Sequence, residues 1–221
     1  MNINYKNKSL VTLLLSLFLA TTICSSQKKE TNDLLEKSEN WVNELNLGDK
    51  EKEARLINVI TTHRMAVQDW HNSHSFEVVP KGINPKTGEQ LSDLDRSIIV
   101  DSAMPKSVHN ALIDGLKADL NETQIEFILD KYTIGKVAFT LKGYHAIVTD
   151  LTAEEEAVIL KNLKEAREMA IDFKQMTQIS AIFEIYKTKN EQYLNLNGRN
   201  WRQLYKDYGK RIKAEKANKT N

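Results

Sequence analysis

The sequence predicts a mainly α-helical, single-domain bundle carrying one small β-hairpin. Three patterns point there. Leu56, Ile60, His63, Val67, Trp70 and His74 recur at spacings of 4, 3, 4, 3 and 4, one face of an amphipathic helix. Ile159, Leu163, Ala166, Ala170 and Phe173 make a near-heptad stripe of the same kind. One segment, KVAFTLKGYHAIV, alternates instead of turning. A two-residue turn at Lys142-Gly143 would pair Leu141 with Tyr144, Phe139 with Ala146 and Val137 with Val148, a hairpin over 137–148.

The chain opens with a segment that reads as a signal peptide, residues 1–26. Lys6 and Lys8 precede the apolar run LVTLLLSLFLA, Leu10 to Ala20. That run is shorter than the roughly 20 residues a spanning helix needs. No later stretch approaches that length, so no transmembrane segment is expected. Cys24 is the only cysteine, and Ile23 before it suits a lipid-anchoring site poorly. Cleavage after Ser26 would start the mature chain at Gln27 without a thiol. The expected location is periplasmic or extracellular, with a lipoprotein anchored through Cys24 as the alternative.

Residues 27–208 are expected to form one helical domain, followed by a basic, frayed tail over 209–221. Leu34, Leu35, Trp41, Val42 and Leu45 suit its first helix, and the Leu56 to His74 stripe its second. VVPKGINPKTGEQ is a long loop with a turn at Pro85-Lys86-Thr87-Gly88. Ser92 with Asp95 caps the next helix, Pro105 suits the first turn of another, and Asn121 with Gln124 caps a third. From Thr152 the helical pattern runs too long to be unbroken, so a break is expected between Lys174 and Gln178. Gly198 ends the following helix, and Trp201, Tyr205, Tyr208 and Ile212 stripe the last.

NLGDKE, DLNETQ and DLTAEE share a leucine four residues before Gln or Glu. They resemble the Leu-Thr-x-x-Gln signature of the small periplasmic Spy-type chaperones. A helix-capping box produces the same spacing.

Function is written less clearly. With 31 Lys and Arg against 30 Asp and Glu, the chain lacks the basic excess that nucleic acid demands. HRMAVQDWHNSH, residues 63–74, gathers three histidines. His63 and His74 lie about 16 Å apart along a helix, too far to share a metal. His71 and His74 are one turn apart, but zinc takes three or four protein ligands. No metal and no cofactor are expected. Nucleophile-elbow, P-loop, dinucleotide and H-E-x-x-H motifs are all missing. His63 and Trp70 read first as packed residues, and Asp69 to His74 as the border of a polar site. His63, His71 and His74 are the candidates for proton transfer, because imidazole titrates near neutral pH.

A second stretch, KTKNEQYLNLNGRNWRQLYKDY, mixes cations, amides and aromatic rings. Asp69, Trp70, Lys187, Asn190, Arg199, Asn200 and Trp201 are the ligand-binding candidates. An aromatic face suits a sugar ring, arginine a uronate carboxylate, and asparagine the hydroxyls. The two stretches are expected to converge on one pocket.

GINPKTGEQLSDLDR, DSAMPKSVH, DKYTIGKVAFTLKGYHAIV, FEIYKTKNEQYLN and GRNWRQLY together resemble a secreted Bacteroidota family, the domain of unknown function 3826. The resemblance spans Asn40 to Tyr208. It carries over no catalytic residue and implies a place beside pectin-degrading enzymes. The expectation is a secreted accessory protein that binds or processes acidic pectic glycans. The alternatives are a lyase or hydrolase on pectic oligosaccharides and a Spy-like helical chaperone or adaptor. Whether it is an enzyme, and its oligomeric state, the sequence leaves open.

Overall fold

The computed structural model describes residues 30–85 and 87–219, so the expected signal peptide, Cys24 and the expected Gln27 start lie outside the described residues. The described residues are mainly helical, and the chain divides after Met65 into two compact units.

The first unit holds α1 (30–43) and the opening turns of α2 (Lys50–Ser73). Val42, Leu56 and Ile60 are fully buried in it. Arg64 Nη1 donates to the Leu34 carbonyl at 2.8 Å, and its guanidinium lies 4.5 Å from the centre of the Trp41 ring. Asp49 starts α2 by accepting from the amides of Glu51 and Lys52. The first echo motif is therefore an aspartate cap.

The second unit is organised on α7 (Ala153–Ala170) and α8 (Met176–Leu196). Asn162 bonds Asn190, Glu165 pairs with Lys189, and Tyr186 meets Met169. Residue numbers rise along one helix as they fall along the other, so the pair is antiparallel. Ile159, Leu163, Ala166 and Ala170 are all fully buried, as their stripe predicts. The expected break comes over 171–175, where Gln178 Oε1 accepts the amide of Gln175 at 3.2 Å.

Around this pair stand a 3-10 turn (Phe76–Val78), α3 (Asp93–Asp101), α4 (Lys106–Asp119), α5 (Glu122–Tyr132), α6 (Lys136–Ile147) and α9 (Trp201–Lys219). Reciprocal capping boxes open α3 at Ser92 and Asp95, α5 at Asn121 and Gln124, and α7 at Thr152 and Glu155. The last two account for the remaining echo motifs. Pro105 sits just ahead of α4. The basic segment after Gly209 continues α9 as helix to Lys219. No described helix is long and apolar enough to cross a membrane.

The expected hairpin over 137–148 is corrected. Lys136–Ile147 is helix α6, and no strand occurs among the described residues. Val137, Leu141, Tyr144 and Val148 are spaced 4, 3 and 4, so they also form one helical face, and that face packs on the core. Phe139, which alternation would turn inward, is 78% exposed. The sole β pairing in the described chain is elsewhere. Ile83 and Gln90 form an isolated antiparallel bridge in the long loop, closed by a turn in which the Gly88 amide donates to Asn84 O at 2.8 Å.

Candidate functional site

Within the second unit, α3, α4, α7 and α8 border an open cavity of about 560 Å³. Asp101, the last residue of α3, stands at its edge. Pro105 then opens α4, whose first turns present Lys106, His109 and Asn110 on one face. From α7 come Glu165, Glu168 and Met169, and Asp172 follows just past its end. These four fall at i, i+3, i+4 and i+7, on a different side from the buried stripe. Met104, Phe173 and Tyr186 supply apolar wall.

Two histidines here are each held by a carboxylate from another element. His109 Nδ1 meets Asp172 Oδ2 at 2.9 Å, and its Nε2 faces Glu168 Oε1 at 3.6 Å. The hydrogen bond to Asp172 raises the His109 pKa above its ordinary value of 6.5, and burial opposes the shift without cancelling it. His71, near the end of α2, meets Asp101 Oδ2 through Nδ1 at 2.6 Å.

The amide group of Gln178 completes the second arrangement. Its Oε1 accepts the Gln175 backbone N–H, so its Nε2 must face the other way. That nitrogen donates to Asp101 Oδ2 at 2.6 Å and to Ser97 Oγ at 2.7 Å. The Gln175 side-chain amide meets His71 Nε2 at 3.0 Å, which leaves Nδ1 as the nitrogen that donates to Asp101.

Of the residues expected to carry function, His71 alone reaches this site, through Asp101. His63 is buried in the first unit. His74 stacks on Trp70 with ring centroids 3.7 Å apart, and Trp70 Nε1 donates to Val100 O at 3.2 Å. Asp69 is exposed and accepts Ser73 Oγ through its backbone carbonyl. Lys187 pairs with Glu184. Asn190 is fully buried against Asn162. Asn200 Oδ1 accepts the Gln203 amide and caps α9. Trp201 packs beside Tyr144, with ring centroids 5.4 Å apart. Arg199 spends Nε, Nη1 and Nη2 on Glu155 and Asp150.

The expected convergence of the two stretches does not occur. Asn72 and His71 bond Lys174 and Gln175, just ahead of α8. Lys187 begins the far half of that helix, about 18 Å further along. Sequence reasoning missed Asp101, His109, Asp172 and Gln178. The available signal was DSAMPKSVH, which contains Asp101 and His109, together with the spacing of Glu165, Glu168 and Asp172.

Four carboxylates and one lysine line the cavity, and Glu165 is already paired with Lys189. Among the described residues, no group of three or more His, Cys, Asp or Glu is arranged to hold a metal ion. The lining side chains can supply hydrogen bonds and proton transfer. A comparison with the curated proteins finds no match. One family profile does match, over residues 31–214, a span that includes every residue lining the cavity. The chain belongs to that family, whose description is "Protein of unknown function (DUF3826)".

Proposed function

We propose that this protein is exported and binds a pectic oligosaccharide in the cavity between α3–α4 and α7–α8, with His109 as the group able to move a proton there. The observation that carries the reading is the His109–Asp172 pair on the wall of an open cavity that also offers carboxylates and aromatic surface. Carboxylates accept hydrogen bonds from sugar hydroxyls, and Phe173 and Tyr186 give apolar surface for a ring. Asp172 orients the imidazole and favours its charged form, which donates from both nitrogens. Nε2 has only a 3.6 Å ion pair to the largely exposed Glu168 to hold it, so its N–H is within a ligand's reach.

The test is calorimetric titration of galacturonate-, rhamnose-, arabinose- and galactose-containing oligosaccharides, with their masses followed by chromatography. Wild-type protein is expected to bind at least one of them, and His109→Gln to bind it about tenfold more weakly, a loss near 1.4 kcal/mol. A change in ligand mass that depends on His109 would make the protein an enzyme. Neither heat nor mass change across the panel overturns the reading.

A further inference from the structure

Asp101 is 4% exposed, yet it lines the cavity. Its two carboxylate oxygens have different surroundings. Oδ2 accepts from His71 Nδ1 and from Gln178 Nε2, both at 2.6 Å. Oδ1 receives no hydrogen bond among the described residues. The donors come from α2 and α8, and the orientation of Gln178 is set by the Gln175 backbone amide. Two elements therefore clamp one oxygen of a buried carboxylate and leave the other for the cavity. Oδ1 is not among the buried side-chain atoms left without a partner, so it is open to the solvent of the cavity. A ligand hydroxyl or ammonium can replace that solvent and donate to Oδ1, whereas a ligand carboxylate brings like charge against it.

We infer that Asp101 Oδ1 is the anchoring acceptor of the cavity and selects a neutral or cationic sugar ring over a uronate. This rests on the saccharide reading above and narrows it. His71, Gln178 and Ser97 are positioning residues, since they act on the ligand through Asp101 and its network. The neighbouring Glu168 and Asp172 add to the same preference. Within pectic material, the ligand is then a rhamnose-, arabinose- or galactose-bearing chain rather than a run of galacturonate.

Asp101→Asn separates anchoring from folding. The asparagine carbonyl must take the Oδ2 position, because two N–H donors face it, and its NH2 then turns to the cavity. An acceptor becomes a donor while the packing is kept. The expected result is a loss of tenfold or more in affinity for the neutral oligosaccharide with the melting temperature little changed. Full affinity in Asp101→Asn overturns the inference and leaves the saccharide reading standing. Wild-type charge selectivity supplies a second measurement that needs no variant. A neutral oligosaccharide should bind at least tenfold more tightly than a uronate chain of equal length, and the reverse order overturns the inference. If wild type binds no member of the panel, this inference and the saccharide reading fall together.

Discussion

Arg199 grips Glu155 through two parallel contacts, Nε to Oε1 and Nη2 to Oε2, both at 2.7 Å. Glu155 is 1% exposed, and it also accepts from Asn197 and from the Thr152 amide. The pair joins the start of α7 to the link between α8 and α9. Gly198, at φ +87, lets the chain leave α8 so that Arg199 points back, with its amide on Leu194 O at 3.0 Å. Arg199→Ala strands a buried carboxylate and should cost about 3 kcal/mol in urea unfolding. Arg199→Lys keeps the charge without the planar fork and should recover only part of that. A loss below about 0.5 kcal/mol, the range of ordinary surface changes, would show that the pair is ornamental.

The same pair sets an acid limit. Arg199, the Thr152 amide and Asn197 hold the Glu155 pKa at about 2, against an ordinary 4.5, with burial opposing them. A depressed folded pKa stabilises fully above 4.5, and that stability is lost as pH falls from there through about 2. Glu155→Gln should be less stable than wild type at pH 7, and the gap should narrow between pH 4.5 and pH 2. A gap that stays constant across that range would contradict the assignment.

Gly143 tests the correction at α6. As the second turn residue of a hairpin it would need a positive φ, and any side chain there would cost stability. In the structure it lies inside α6, and a Cβ added to it meets nothing within 4 Å. Gly143→Ala should therefore stabilise by about 0.5–1 kcal/mol, through helix propensity and a less flexible unfolded chain. A fall in thermal stability would reinstate the turn.

Legibility followed locality. The capping boxes at Ser92, Asn121 and Thr152 involve residues three apart, so the sequence displays them whole. The Ile159 to Ala170 stripe is equally local, since one helix carries all of it. KVAFTLKGYHAIV is ambiguous because a short apolar run satisfies both periods. Its helical face becomes distinct only when Phe139 is known to point outward. The site was less legible still. Asp101 and Gln178 are 77 residues apart, and His109 and Asp172 are 63 apart. Only the packing of α3 and α4 against α7 and α8 brings them together. The His, Trp and Arg clusters drew notice by composition, but Trp70 and Arg199 have structural work to do.

Ile134 is a β-branched residue at φ +54, followed by Gly135 at φ +66. It stands where α5 ends, with its amide directed to Lys131 O and that of Gly135 to Asp130 O. The left-handed region costs an ordinary L-residue roughly 1–2 kcal/mol, and isoleucine is poorly suited to it. Its side chain is 72% exposed, so little burial offsets the strain. Ile134→Asn, which tolerates this conformation, should stabilise by about 1 kcal/mol and raise the melting temperature by about 2–4 °C. Unchanged or lower stability would mean that the isoleucine makes a contact worth its strain.

His109 gives the pH response of the cavity. Asp172 and Glu168 face it, and their attraction outweighs burial, so its pKa lies above 6.5. A raised folded pKa contributes stability that is fully present below 6.5 and is lost as pH rises through the folded value. Asp172→Asn removes the larger share of that attraction. The melting-temperature difference between wild type and Asp172→Asn should be greatest near pH 5.5 and shrink toward pH 9. A proton NMR titration of the His109 ring reads the cause directly. Its midpoint should lie above 6.5 in wild type and drop in Asp172→Asn, while Glu168→Gln should lower it less, because the 3.6 Å contact is the weaker one. A wild-type midpoint at or below 6.5, or one indifferent to Asp172, would remove the imidazolium from the cavity and with it the proton donor assigned to His109.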